Sequence, residues 1–146
     1  SVARSWYFHI GNGHYKRSMG YVENMAYQIY CLLLASKEKI ERKTFYLGDR
    51  DPVDLYLLAN EVRSLTKAKN IRHLPLWAVK FVAKIGDILV ALGLKGFPLT
   101  SFRLNNIRTE YVFNLSPITE ISGPLPFDFK TSVQRTVQWM QEVGEI

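Results

Sequence analysis

Short hydrophobic runs alternate along the chain with longer segments in which apolar residues recur every three or four positions. The short runs are rich in aromatic and β-branched side chains, which is typical of strands, whereas the longer spacing is typical of amphipathic helices. The pattern predicts strands at 6–10, 18–22 and 44–47, an extended piece at 71–74, an extended or irregular segment at 111–114, and a loop at 118–126. It predicts helices at 24–36, 52–67, 75–92, 101–106 and from 128 onward. We therefore expect a mixed α/β fold that is helix-rich and has a few short strands.

Several polar residues are expected to fix the ends of these elements. The Gly-Asn-Gly sequence at 11–13 predicts a hairpin turn between the first two strands, because Asn and Gly tolerate positive φ. Asn24 and Asp128 are expected to cap the helices that follow them, and the segment 99–101 supplies another cap. The apolar side of the first helix is predicted to comprise Met25, Ile29, Leu32 and Leu33.

The helix predicted at 75–92 admits two interpretations. Its polar stripe of Lys80, Lys84 and Asp87 is compatible with a helix that lies on a membrane surface. Such helices usually carry a richer basic face than two lysines, so packing against the protein core is favoured. No stretch of 18 residues is free of charge, and we therefore expect no membrane span.

Composition narrows the setting of the protein. The 146 residues have about the length of one domain, and 47% hydrophobic residues are enough to bury a core. The net charge of +6 favours an anionic partner, but no block of five or more like charges is present, so nucleic acid is not expected. The single cysteine, Cys31, excludes an intrachain disulfide and fits a reducing compartment. Because the N-terminus also lacks the apolar run of a signal peptide, we expect a cytoplasmic location.

Three arginines are candidates for anion binding: Arg17, Arg103 and Arg108. Each lies beside a predicted strand or helix end that would fix its guanidinium, and a fixed guanidinium commonly binds a phosphate or a carboxylate. Isolated arginines are usually solvated, and that alternative stays open for each of them.

Two further features lead to no predicted site. The Gly-Asn-Gly sequence resembles part of a phosphate-binding loop, but it lacks a third glycine and a helix that follows, so the turn interpretation is favoured. Metal binding is not expected, because no Cys, Asp or Glu stands at ligand spacing from the histidines of the chain, which are His9, His14 and His73.

Five segments resemble, in the correct order, the extended short-chain dehydrogenase/reductases, which form the NAD-dependent epimerase/dehydratase family. The arginine–strand–Asn–helix segment of that family is similar to RSMGYVENMAYQIYCLLLA, and a later strand and helix are similar to KTFYLGDRDPVDL. The C-terminal substrate lobe and its closing helix are similar to HLPLWAVKFVAKIGDIL, PLTSFRLNN and GPLPFDFKTSVQRTVQWM. The likeness covers nearly the whole chain, and it depends on the ordered series because no single motif is diagnostic.

The resemblance implies that residues 1–146 are a single C-terminal fragment, the substrate-binding portion of such an enzyme. The parent enzyme would bind NAD or NADP on a Rossmann domain. It would act as an epimerase, dehydratase or reductase on a nucleotide-linked sugar, as is common in polysaccharide biosynthesis. Arg17 matches the family arginine that contacts the substrate diphosphate, and Arg103 falls near a second one. Phe102 and Tyr111 are the candidates for packing on the base or the sugar.

The features of the N-terminal Rossmann domain are missing from this chain. No glycine-rich nucleotide loop opens the first strand, and none of the tyrosines has a lysine four residues further on. In this family the Tyr-x-x-x-Lys pair supplies the acid/base tyrosine. We therefore expect the chain alone to bind no cofactor and not to be catalytic.

The missing domain also predicts how the fragment associates. In the family, the helix after VEN and the TFYLG strand pack on the Rossmann sheet, so in the fragment these surfaces would lose their partners. An exposed apolar helix face and a free strand edge favour pairing between chains, and we expect a homo-oligomer. The alternative class of function is a basic, non-catalytic, oligomeric interaction module that binds an anionic partner.

Overall fold

Helices make up most of the fold, and the sheets are small. The computed structural model describes residues 2–3, 7–94 and 96–146. The described elements are β1 (Phe8–Ile10), β2 (Lys16–Arg17), α1 (Val22–Leu34), α2 (Lys37–Ile40), β3 (Val53–Asp54), α3 (Leu55–Thr66), β4 (Arg72–Leu74), α4 (Leu76–Ala91), α5 (Ser101–Arg108), α6 (Ser116–Ser122) and α7 (Phe129–Glu142). The predicted coarse class, mixed α/β and helix-rich, is confirmed.

The described strands pair as two separate two-stranded sheets. β1 runs parallel to β4, with Phe8 opposite Arg72. β2 runs antiparallel to β3, with Lys16 opposite Asp54. Both strands of the first sheet agree with the predicted extended segments, except that Trp6 lies outside the described residues.

The turn at 11–13 is present, but the predicted hairpin is wrong. Gly11 and Gly13 have φ angles of 64° and 77°, and the Gly13 N–H donates a hydrogen bond to the Ile10 carbonyl at 3.2 Å. The strands on either side of the turn do not pair with each other, because β1 bonds to β4 and β2 bonds to β3. The turn therefore carries the chain from one sheet to the other and places Arg17 in the second.

Asn24 lies inside α1 and is not its cap. The helix begins at Val22, so the strand predicted at 18–22 is wrong. Asn24 is fully buried, and its Nδ2 donates to Asp49 Oδ1 at 2.7 Å and to the Phe127 carbonyl at 2.9 Å. Its Oδ1 accepts a hydrogen bond from the Phe127 N–H at 3.1 Å. The Asn24 amide thus bonds to both the N–H and the carbonyl of Phe127. Buried backbone groups need such partners, and Asn24 provides them from a buried position inside the helix and not from its end.

Gln28 bonds to Gly48 in the same reciprocal way. Its Nε2 donates to the Gly48 carbonyl at 2.8 Å, and its Oε1 accepts from the Gly48 N–H at 3.0 Å. The strand predicted at 44–47 is wrong, since this segment is irregular. On the predicted apolar side of α1, Ile29 and Leu33 are exposed, as expected of a helix face that lacks its partner. The side-chain amides of α1 lie on its buried face because they bond to backbone groups of irregular segments. In a sheet, a neighbouring strand would have bonded to such groups.

Three predicted helix starts are confirmed. α4 follows Pro75, which fits the conformation of a helix start. α5 follows Thr100, whose hydroxyl accepts a hydrogen bond from the Arg103 N–H at 3.3 Å. α7 follows Asp128, whose carboxylate accepts from the Thr131 N–H at 2.8 Å.

Two helix predictions need correction. α3 begins at Leu55 and not at Pro52, because the Asp54 carboxylate accepts a hydrogen bond from the Tyr56 N–H at 2.8 Å and caps the helix there. The segment predicted to be irregular at 118–126 begins inside α6, which has Pro117 in its first turn.

β1, α4 and α5 meet in a buried apolar cluster. Val79, Ala83 and Leu104 form this cluster, and Ile10 and Leu99 pack against it. Elsewhere, α7 packs on α3. The cluster between β1, α4 and α5 forms one wall of the cavity described below.

α1 and α4 each expose a row of apolar side chains. Val22, Ile29 and Leu33 are exposed on α1, and Trp77 and Phe81 are exposed on α4. None of the helices in the described ranges combines the length and the apolar character needed to cross a bilayer. The homo-oligomer expected from uncovered apolar faces stays a prediction.

Candidate functional site

A cavity of about 630 Å³ lies between β1, β2, α4 and the end of α5. Its volume is within the range of small-molecule sites in proteins, and most of its lining is apolar. It is lined by Tyr7, Phe8, Ile10, Gly13, Tyr15, Arg17, Leu55, Leu74, Ala78, Val79, Val82, Leu99 and Ile107. Among these described lining residues, Arg17 carries the only formal charge.

Arg17 is held at the cavity by backbone carbonyls from the end of α5. Its Nη2 donates hydrogen bonds to the carbonyl oxygens of Asn106 at 2.6 Å and of Ile107 at 3.2 Å. Because the last carbonyls of a helix have no partner within the helix and carry partial negative charge, a guanidinium is well suited to this position. The orientation of the half-buried guanidinium is therefore set before any ligand arrives.

Tyr111 lies against the same guanidinium. The Arg17 Cζ is 5.4 Å from the centroid of the Tyr111 ring, which is a cation–π distance. The backbone fixes this arrangement, because the Tyr111 N–H donates to the Lys16 carbonyl at 3.3 Å and its carbonyl accepts from the Ser18 N–H at 2.7 Å. The structure thus brings together two of the residues predicted from the sequence, although Tyr111 does not line the cavity.

Two tyrosines on either side of the turn at 11–13 add hydroxyl groups to the cavity. Burial raises the pKa of the Tyr7 phenol above its usual range, and the nearby positive charge of Arg17 offsets part of this rise. The Tyr15 hydroxyl donates a hydrogen bond to the Ile10 carbonyl at 3.1 Å. Sequence reasoning missed both residues. The turn at 11–13 could have indicated them, because a tight turn brings the residues that flank it close together.

Arg103 and Phe102 lie at the start of α5, away from this lining. The Arg103 Nη1 donates a hydrogen bond to the Pro98 carbonyl at 3.1 Å, and the Phe102 side chain is exposed. Arg108, at the other end of the helix, is half-buried and is also outside the lining. The substrate roles implied for Arg103 and Phe102 stay predictions.

The described residues around β1 do not fit a dinucleotide cofactor. The glycine turn after β1 leads to β2 and not to the N-terminus of a helix. A Rossmann phosphate site needs that helix N-terminus, because its free N–H groups and its dipole bind the pyrophosphate. The turn after β1 therefore does not form a Rossmann phosphate site.

The three histidines, which the sequence separates, come together on the other side of β1. His9 is buried, and its ring centroid lies 4.9 Å from that of His73 and 4.7 Å from that of Tyr56. His14 stacks on Tyr56 at 4.5 Å, and its Nδ1 lies 2.7 Å from Asp54 Oδ2. The parallel pairing of β1 with β4 causes this clustering, since it sets His9 opposite His73. Within the described ranges, no three His, Cys, Asp or Glu side chains are arranged to hold a metal ion.

Titration of this cluster is set by burial and by neighbouring charge. Burial lowers the pKa of His9, positive charge on His73 and His14 lowers it further, and Asp54 acts in the opposite direction. Partial burial disfavours the ionised form of Asp54, but hydrogen bonds from His14 and from the Tyr56 N–H outweigh it and lower the pKa of that carboxyl. Neither ring nitrogen of His9 has a hydrogen-bond partner among the described residues.

Comparison of this chain with protein-family models, with curated proteins and with solved structures finds no match in any of the three. The likeness to the extended short-chain dehydrogenase/reductases therefore depends on the segments quoted above.

Proposed function

We propose that this chain is the substrate-binding portion of an NAD(P)-dependent epimerase, dehydratase or reductase that acts on a nucleotide-linked sugar. On its own it is not catalytic. One observation carries the proposal: Arg17 is held at the wall of a ligand-sized, mostly apolar cavity by the carbonyls of Asn106 and Ile107.

Arg17 is the proposed contact for the substrate diphosphate. Its Nη2 already donates to the two carbonyls, so Nη1 is the group left to bind a phosphate oxygen. The carbonyl bonds orient the guanidinium in advance, so little rotamer entropy is lost when phosphate binds. Tyr111 covers one side of the guanidinium and reduces its exposure to water. A partly desolvated cation attracts phosphate more strongly than one in bulk water.

The apolar lining is the proposed site for the planar part of the substrate. Tyr7, Phe8 and Tyr15 surround this side of the cavity, and aromatic rings stack on nucleobases. The described lining offers few polar groups for sugar hydroxyls. In this proposal those hydroxyls are bound mainly by the remainder of the parent enzyme, which also supplies the cofactor and the acid/base tyrosine.

The test is a titration of the full-length protein with UDP-glucose, GDP-mannose and dTDP-glucose by isothermal calorimetry. Arg17→Ala is expected to weaken binding of the preferred nucleotide sugar by about 10-fold to 100-fold, because it removes a charge-assisted contact. The affinity of Arg17→Lys is expected to fall between those of the unmodified protein and Arg17→Ala, since lysine keeps the charge but loses the orientation that the carbonyl bonds give. Arg50→Ala, an exposed arginine outside this cavity, is the matched control. Equal affinities of Arg17→Ala and the unmodified protein would remove Arg17 from the site.

A second candidate function is a basic, oligomeric interaction module that binds an anionic partner without catalysis. The exposed apolar rows on α1 and α4, together with the net charge of +6, favour it. The sequence upstream of Ser1 in the source gene distinguishes the two. A strand, a glycine-rich loop and a Tyr-x-x-x-Lys there would support the enzyme, and their absence would support the module.

A further inference from the structure

Apolar side chains dominate the outward face of α4, which is interrupted at one edge by Lys84, between Phe81 and Ile88 along the helix. Trp77, Phe81, Ile88 and Leu92 are 75%, 64%, 60% and 75% exposed. Their spacing of i, i+4, i+11 and i+15 returns to one side of an α-helix. We refer to these four residues as the outer stripe of α4.

The opposite side of α4 faces the core. Val79, Ala83 and Gly86 are its buried residues, and their positions in the helical repeat lie opposite the outer stripe. The helix is therefore apolar on two sides, and its core contacts use the side with the smaller side chains. In a helix that serves only to pack against the core, the outer side carries polar residues.

Basic side chains border the outer stripe. Lys80 and Lys84 are exposed and lie one turn apart along one edge of the stripe. Asp87 follows on the same edge, but its carboxylate accepts a hydrogen bond from the Ser101 N–H at 3.0 Å, which directs it to the start of α5. The hydrogen bond does not remove the carboxylate charge, so with two lysines and one aspartate this edge carries a net charge of +1, in a chain with a net charge of +6.

We propose that α4 docks through its outer stripe on an anionic membrane surface and lies in the plane of the interface. The indole of Trp77 suits the headgroup region, the other three side chains reach the acyl boundary, and the lysines extend to lipid phosphates. The 16 residues of α4 form a helix about 24 Å long. The proposal does not depend on the identity of the substrate.

Charge distinguishes a lipid surface from a second copy of the chain. In a two-fold interface centred on the outer stripe, Lys84 lies close to the midpoint between Trp77 and Leu92 and would face Lys84 of the other copy, which is an unfavourable like-charge contact. An anionic bilayer attracts Lys80 and Lys84. The exposed apolar row of α1 provides the contrast, because Val22–Leu34 contains no Lys or Arg and nothing on that helix selects a lipid surface.

The experiment is sedimentation of the full-length protein with vesicles of phosphatidylcholine alone and with 30% phosphatidylserine. Binding to the anionic vesicles is expected, with weaker binding to the neutral ones. The double variant Trp77→Ser/Phe81→Ser is expected to lower the vesicle partition coefficient at least about tenfold, because two aromatic side chains no longer enter the interface. Lys80→Gln/Lys84→Gln is expected to lower it about fivefold per lysine on the anionic vesicles.

The matched control is Ile29→Ser/Leu33→Ser, which alters the exposed row of α1 in the same way and is expected to leave vesicle binding unchanged. Circular dichroism checks that all variants keep the helix content of the unmodified protein. The proposal is overturned if the unmodified protein does not bind anionic vesicles, or if the α1 and α4 variants lose binding equally. It is also overturned if sedimentation velocity shows a dimer that Trp77→Ser/Phe81→Ser converts to monomer without any effect of lipid, since the stripe is then an interface between copies.

Discussion

The guanidinium of Arg17 donates a hydrogen bond to the carbonyl oxygen of Asn106, 89 residues further along the chain, at 2.6 Å. This bond ties the second sheet to the end of α5 and orients the one charged side chain of the described cavity lining. The same contact therefore bears on stability and on ligand binding.

Arg17→Lys is expected to lower the free energy of unfolding by about 1–2 kcal/mol, because an ammonium cannot reproduce the bonds to both carbonyls at these positions. Urea unfolding followed by circular dichroism measures the change. Arg50→Lys, at an exposed arginine, is expected to shift it by less than about 0.5 kcal/mol. A stability of Arg17→Lys equal to that of the unmodified chain would show that the two carbonyl bonds contribute little.

Gln28→Leu is expected to lower the free energy of unfolding by about 2–4 kcal/mol, since it leaves both the N–H and the carbonyl of buried Gly48 without the partner that Gln28 provides. Chemical denaturation gives the value. Gln134→Leu removes an exposed amide from α7 and serves as the control, with an expected change of less than about 0.5 kcal/mol. A loss for Gln28→Leu as small as that of the control would contradict the reciprocal bonding.

Gly86→Ala tests the close approach between α4 and the segment that precedes α5. In an open helix this change stabilises by about 1 kcal/mol. Here the new Cβ would overlap the Leu99 carbonyl oxygen and lie 2.7 Å from the Phe97 ring. We therefore expect the free energy of unfolding to fall by about 1–3 kcal/mol. Ser64→Ala on the exposed side of α3 is the control for helix propensity, and thermal unfolding of both variants decides the sign. A gain at Gly86 would mean that the segment moves away freely.

His9 gives stability a dependence on pH. Burial, with positive charge on His73 and His14, lowers the pKa of His9, whereas the unfolded chain takes up this proton near pH 6.5, about the ordinary value for histidine. The unfolded state therefore binds more protons below that pH, and stability falls as the pH drops from about 6.5 towards the folded-state pKa of His9. The groups that face His9 are Tyr7, His14, Asp54, Tyr56 and His73.

His9→Leu is expected to remove this component of the slope, measured as urea unfolding free energies at several pH values between about 7.5 and 5. His73→Gln is the informative companion, because it removes a charge but leaves His9 buried. Since burial is the larger cause, most of the slope is expected to persist in that variant. An unchanged slope in His9→Leu would assign the acid sensitivity to other groups.

The sequence predicted helices better than strands, and the reasons lie in particular residues. Pro75, Thr100 and Asp128 mark helix starts through local chemistry, which needs no knowledge of distant contacts. The segment 44–47 has strand composition but pairs with none of the described strands, and the Gly48 backbone that follows it bonds to the Gln28 side chain. Nothing in the local pattern of α1 indicates that Asn24 and Gln28 form its buried side while Leu33 is exposed.

The candidate site was predictable only in part. Arg17 was expected beside a strand end, and it does line the cavity. Tyr111 was expected to pack on the base or the sugar, but it lies against Arg17 outside the cavity lining, and its predicted role stays a prediction. The contact between them depends on a bridge across 94 residues, and the histidine cluster depends on parallel pairing of β1 with β4. Both arise from long-range backbone pairing, which a single sequence does not reveal.

The parallel pairing of Phe8 with Arg72 also sets an order of events during synthesis. β1 is made before β4 and meets its partner only after the intervening residues have left the ribosome, which takes on the order of 3–13 s at ordinary elongation rates. During that interval the aromatic strand and the apolar row of α1 are exposed together. Nascent chains of this protein are therefore expected to bind chaperones before β4 emerges. Release of β1 from a chaperone is expected only when residues 72–74 are available to pair with it.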